Sequence, residues 1–423
     1  MQKIKIYSFG IVFFLFVINS FSQTTVDSTY ISNFKFIKIE LNKIENDSTS
    51  LVTFYSKLVE LEKSKKGVVK IVHIGDSHIQ ADGLSGTVRQ KFQLKFGNAG
   101  RGLIFPYRLA KSNEPTSYKT STNTAWNYKR NVFYEKPLPI GISGYTIETA
   151  DSAAEINVLV KNQNQLGYAF NKLSLFHEKG KQNYDISVCD ELNCERGVFS
   201  YNQTDSTSFV SELKFDKPIQ QVYLRNKKTD TLSSKYSRIY GMLLENDSSG
   251  VLYNMIGVNG AEYRHYSLSK YFKEQLTYLS PDLIIVSLGT NEAYATSFNK
   301  DAFYGQIDTL ITSLKASNPN AVFLLSTPPD SYRRTKNGRL KNSDMKLAKE
   351  TIIKYAVEHN IAYWNLYEVM GGYGSMQNWY LAKLSAKDKV HFTGLGYQMQ
   401  GYLLYKALIE DNYEKYKLKS IEK

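Results

Sequence analysis

Residues 71–79 read Ile-Val-His-Ile-Gly-Asp-Ser-His-Ile, an apolar run that stops at Gly75-Asp76-Ser77. Both faces are apolar over residues 67–74, which predicts a strand buried on both sides. From Ile79 to Phe96 the spacing changes, with Leu84, Val88, Phe92 and Phe96 falling on one helical face. Ser77 therefore stands on a strand-to-helix turn, where its plainest role is to cap the helix. A second stretch changes that reading. Residues 388–393 are Asp-Lys-Val-His-Phe-Thr, with an acid three positions before a histidine. A free hydroxyl needs a base beside it to act as a nucleophile. The base works best when a third group fixes its tautomer. Ser77 as nucleophile, His391 as base and Asp388 as orienting acid make a set suited to acyl transfer.

Residues 254–261, Asn-Met-Ile-Gly-Val-Asn-Gly-Ala, and 282–292, Asp-Leu-Ile-Ile-Val-Ser-Leu-Gly-Thr-Asn-Glu, repeat the pattern of an apolar run emptying into a Gly/Asn loop. With Ser77, Gly260, Asn291 and the Asp388/His391 pair in this order, the sequence resembles the SGNH (GDSL-type) hydrolase superfamily. Gly75-Asp76-Ser77-His78, Gly100-Arg101-Gly102-Leu103-Ile104-Phe105-Pro106 and Gly257-Val258-Asn259-Gly260-Ala261 look like its peptidoglycan O-acetylesterase branch, as does the 388–393 motif. The resemblance implies a three-layer α/β/α hydrolase with a parallel sheet and neither metal nor organic cofactor. It also implies an oxyanion hole built from the Ser77 and Gly260 N–H groups and the Asn291 amide. Gly257 competes with Gly260 for the glycine role, and either could simply serve a turn. His73 reads as a strand core residue, and His78 as packing or touching substrate. Thr327-Pro328-Pro329 reads as a turn.

The motifs occupy roughly residues 67–108 and 239–400, and residues 67–108 and 239–423 are read as the hydrolase domain. Between them, short alternating segments such as Ile156/Val158/Val160 and Val222/Leu224 are separated by turn-rich stretches. That pattern predicts an inserted all-β sandwich (jelly-roll-like) over 109–238. Afterwards strands are expected at 251–256, 283–288, 322–326 and 361–364. Helices are expected at 262–278, 300–317, 343–359 and 395–412. Strands alternating with helices imply a parallel sheet covered on both faces, with its site beyond the strands' carboxyl ends.

The chain has 423 residues, 42% hydrophobic and 22% charged, which is globular composition. Residues 1–22 have a short basic start, an apolar run from Ile6 to Ile18 and small residues at Ser20 and Ser22, as a secretory signal peptide does. The run is too short to span a bilayer. The mature chain is expected to be periplasmic or secreted, with no lipoprotein anchor at that cleavage point and no integral membrane segment. Residues 23–66 read as a surface lead-in. In an oxidising compartment Cys189 and Cys194 would close a small loop as a disulfide. The net charge of +13 suits an anionic partner. No basic cluster interleaved with aromatics suggests nucleic acid. Oligomeric state is not legible.

By resemblance, the expected activity is removal of O-acetyl groups from a cell-wall glycan, peptidoglycan first. Rivals are another acylated polysaccharide, a lipid or thioester, or a glycan-binding protein whose site is vestigial.

Overall fold

The computed structural model describes residues 26–46, 49–133, 138–163, 165–201, 209–229, 235–336 and 338–421. The signal-peptide reading of residues 1–22 lies outside them. Among the described residues no helix is long and apolar enough to cross a membrane.

The expected parallel sheet is present, with strands Ala362–Trp364, Val322–Ser326, Leu283–Ser287, Val68–Gly75 and Gly250–Gly257 in that spatial order. A short strand, Ile44–Glu45, adds antiparallel to the outer edge beside Ala362–Trp364. Ile71, Val72, Ile74, Ile284, Ile285 and Leu324 are wholly buried, as strands covered on both faces require. Helices Val52–Ser64, Gly83–Phe96 and Gly394–Tyr405 pack together as one layer. Phe272–Leu279, Lys300–Ser317 and Asp344–Glu358 form the other.

Several boundaries differ from the sequence reading. Residues 23–66 were expected to lie on the surface. Instead Phe54 and Leu58 of Val52–Ser64 are fully buried, and Ile44 joins the sheet. The helix expected at 79–96 is broken into Ser77–Gln80 and Gly83–Phe96, because Asp82 takes a left-handed conformation at φ 59°. The helix expected at 262–278 is likewise split into Tyr263–Ser267 and Phe272–Leu279.

The antiparallel module consists of two facing sheets. One runs Glu195–Phe199, Asp185–Asp190, Gln221–Lys227, Glu155–Val160, Tyr118–Thr122. The other runs Val210–Ile219, Phe170–His177, Ser237–Glu245, Tyr145–Thr149, Asn127–Arg130, with Gly102–Ile104 also paired to Ser237–Glu245. The whole strand Ser237–Glu245 thus belongs to the module, which the sequence reading ended at 238. In the second sheet the central strands Phe170–His177 and Ser237–Glu245 are buried on both faces. Tyr278 from the helix Phe272–Leu279 packs edge-on against Phe176 and meets the Ser174 hydroxyl at 2.9 Å. Gln275 Oε1 accepts the Ile142 N–H at 2.8 Å.

The expected disulfide is absent: Cys189 and Cys194 are free thiols. The hairpin register explains this. Cys189 pairs with Glu195, so Cys194 is one residue out of register and faces the other way. Cys189 is buried and Cys194 is exposed.

Candidate active site

Three adjacent strands deliver the site. Val68–Gly75 lies between Leu283–Ser287 and Gly250–Gly257, so the sheet's topological switch is at its carboxyl end. Ser77 follows the central strand, Gly260 follows Gly250–Gly257, and Asn291 follows Leu283–Ser287. Gly75 is needed at the turn because a Cβ there would lie 2.3 Å from Ile79 Cγ1. Asp76 caps the helix after it, its Oδ1 accepting the His78 N–H at 2.9 Å.

The remaining two residues come from the loop before Gly394–Tyr405, a helix capped by the Thr393 hydroxyl. Asp388 Oδ1 accepts the N–H groups of Val390 and His391, both at 3.0 Å. Its Oδ2 meets His391 Nδ1 at 2.7 Å, and His391 Nε2 lies 3.0 Å from Ser77 Oγ. The structure therefore brings Ser77, His391 and Asp388 into one hydrogen-bonded line. Burial pushes the Asp388 carboxyl up, but the His391 ring and the two N–H donors outweigh it and hold the group below its ordinary value. It stays ionised at neutral pH and can steady an imidazolium.

The three residues expected to form the oxyanion hole, Ser77, Gly260 and Asn291, line the same cleft. Ser77 opens its helix, so its N–H has no acceptor within that helix. Gly260, at φ 85°, lines the cleft beside Ser77 and His391. Gly257 is instead a packing residue, since a Cβ there would sit 2.3 Å from the Gln80 nitrogen. Asn291 Nδ2 donates to the Ala261 carbonyl at 2.9 Å and reaches Asp76 Oδ2 at 3.3 Å.

His73 is enclosed, bonded to the Tyr253 hydroxyl at 2.7 Å and the Ser287 hydroxyl at 2.8 Å. His78 is buried and packs its ring 5.5 Å from that of His391. Thr327, Pro328 and Pro329 line a small cavity behind the site, not the cleft. Sequence reading did not single out Glu292, next to Asn291, or Asp82 in the cleft wall, both buried acids.

The cleft measures about 1260 Å³ and runs from Ser77 and His391 along the helix Gly83–Phe96. Its far wall comes from the antiparallel module and the loop leading into it, through Asn113, Thr116, Asn162 and Gln163. Gln90 Nε2 donates to Gln163 Oε1 at 2.9 Å across the two walls. Among the described residues that line it, Lys91 is the single Lys or Arg, and most of the polar groups are neutral amides and hydroxyls. The positive surplus of the chain is thus carried elsewhere. Among the described residues no cluster of three or more His, Cys, Asp or Glu could hold a metal.

Residues 228–399 match the GDSL-like Lipase/Acylhydrolase family. A solved structure described as "Peptidoglycan O-acetylesterase in action, 5 min" superposes with TM-score 0.72 at 20% identity, covering 88% of this chain and 98% of that one. The fold is that of an SGNH/GDSL-type hydrolase. A lipase/acylhydrolase from Enterococcus faecalis is 19% identical with TM-score 0.30, covering 38% of this chain and 76% of that one. An acetyl xylan esterase is 17% identical with TM-score 0.31, covering 38% and 83%. No curated protein sequence matches.

Proposed function

We propose that this SGNH-type hydrolase is an exported serine esterase that removes O-acetyl groups from a cell-wall glycan, peptidoglycan before others. The observation that carries the reading is the unbroken line Asp388–His391–Ser77 at the head of a long, amide-lined cleft. Ser77 Oγ attacks the acetyl carbonyl carbon while its proton passes to His391 Nε2. The oxyanion is held by the N–H groups of Ser77 and Gly260 and by Asn291, whose long contact to Asp76 is the one exchanged. The carbon–oxygen bond to the sugar then breaks, and His391 returns its proton to the sugar oxygen. Water, deprotonated by His391, attacks acetyl-Ser77 and releases acetate. Each oxyanion donor of this kind is worth about 3–4 kcal/mol in the transition state.

Two features support a glycan over a lipid. The cleft is far longer than an acetyl group needs, and its lining donates and accepts neutral hydrogen bonds, as sugar hydroxyls and acetamido groups require. The likeness in fold to a peptidoglycan O-acetylesterase favours that polymer. The signal-like residues 1–22 support export.

Acetate release from O-acetylated peptidoglycan and from acetylated xylan, alongside p-nitrophenyl acetate turnover, tests this. Ser77→Ala should lose all three activities. Gln163→Ala should lower activity on the polymer and spare p-nitrophenyl acetate, since positioning along the cleft matters only for a long substrate. Turnover by Ser77→Ala would end the mechanism; activity on xylan alone would replace the substrate.

A further inference from the structure

Ser77 and His391 are joined by a second route, one residue further along from each. His78 follows Ser77 and Phe392 follows His391. His78 Nδ1 lies 3.0 Å from the Tyr397 hydroxyl, and its ring is 5.9 Å from the rings of both Tyr397 and Phe392. The Phe392 ring in turn packs 5.5 Å from the Tyr397 ring. The Tyr397 hydroxyl has one proton to give, and with it assigned as the donor the acceptor is His78 Nδ1. His78 then carries its proton on Nε2, an atom with no partner among the described residues. Burial, and then the neighbouring His391, push the His78 pKa down to about 3, which keeps the ring neutral and Nδ1 free to accept. Tyr397 itself is firmly seated, its Cβ so close to Gly83 that a Cβ there would lie 2.9 Å away.

We propose that His78 and Tyr397 are positioning residues. Tyr397, packed on the Phe392 ring and bonded through its hydroxyl to His78 Nδ1, ties the histidine loop to the nucleophile turn. Such a tie has work to do because the His391 and Asp388 side chains are 43% and 42% exposed. An ion pair so open to solvent holds geometry weakly. The inference rests on Ser77 and His391 being the reacting pair.

The test uses p-nitrophenyl acetate kinetics of the purified protein, normalised by active-site titration so that misfolded material is not counted. Tyr397→Phe keeps the ring and removes only the hydroxyl. Its kcat should fall about tenfold or more with KM within about twofold, because the loss is of alignment and not of binding. His78→Asn retains an acceptor where Nδ1 stood and should keep most of the wild-type kcat. His78→Gln, which moves the polar atom to the Nε2 position, and His78→Phe should fall with Tyr397→Phe. Combining His78→Phe with Tyr397→Phe should cost no more than either alone, as expected of one unit. Ser77→Ala is run beside them. If it turns over, the assignment of the reacting pair fails and the proposal with it. If it is dead while Tyr397→Phe keeps wild-type kcat, or His78→Asn is as impaired as His78→Phe, the positioning route is overturned and the nucleophile stands.

Discussion

Glu292, the neighbour of Asn291, puts a carboxyl in the interior. Its Oε1 accepts the Tyr263 N–H at 2.8 Å, and its Oε2 is buried without a hydrogen-bond partner among the described residues. Burial pushes its pKa from 4.5 up to about 8. Between those two values the folded chain holds a proton that the unfolded chain has released, so this residue makes stability fall as pH rises through that window. Glu292→Gln keeps the Oε1 acceptor and mimics the neutral acid. The variant should gain thermal stability relative to wild type at pH 8 and little at pH 4.5, with melting measured across the range. A variant whose difference from wild type is the same at both pH values would sink the assignment. Asp388 shows the opposite case, an acid kept ionised by the donors around it. Two carboxyls near one site are thus set to different charge states by their surroundings.

The hairpin joining Asp185–Asp190 to Glu195–Phe199 carries both cysteines on opposite faces. Cys194 should react with a thiol reagent in the native protein, and Cys189 only after unfolding. Two unreactive thiols in denaturant, recovered by reductant, would contradict this register. The disulfide expectation failed because proximity in sequence says nothing about face, and one step of register reverses it. By contrast, the parallel strands were legible because runs such as residues 67–74 and 283–288 are apolar on both sides. The alternating segments of the antiparallel module were legible too, though its last strand was not, since Ser237–Glu245 is buried on both faces and reads as part of the next block. The break at Asp82 was hidden because the buried partners of its carboxylate, Arg89 and Arg101, come together with it only in the fold. The order of the motifs pointed to Ser77, His391 and Asp388. Nothing local pointed to Tyr397, whose partner His78 is 319 residues away.

The two halves of the molecule meet over one carboxylate. Asp82 takes Arg89 at 2.7 Å and Arg101 at 3.0 Å, with both guanidiniums wholly buried. Arg89 continues to the Tyr168 hydroxyl at 3.2 Å, in the module, and Arg101 to the Ser117 hydroxyl at 2.6 Å. Asp82→Asn leaves two buried cations without their anion, a change that costs about 3–5 kcal/mol. Urea unfolding should register that loss; a shift below about 1 kcal/mol would show that the cations find other partners. The chain sets out for the module along Gly102–Ile104 and comes back along Ser237–Glu245, with Ile104 opposite Met242 and Gly102 opposite Leu244. Departure and return are therefore about 4.8 Å apart, one strand spacing, however long the excursion between them. In the terms of descent, this clasp makes what lies beyond it an exchangeable cassette. A lineage can lengthen, shorten or replace the excursion, and with it one wall of the cleft, while the strand that aims Ser77 stays where it is.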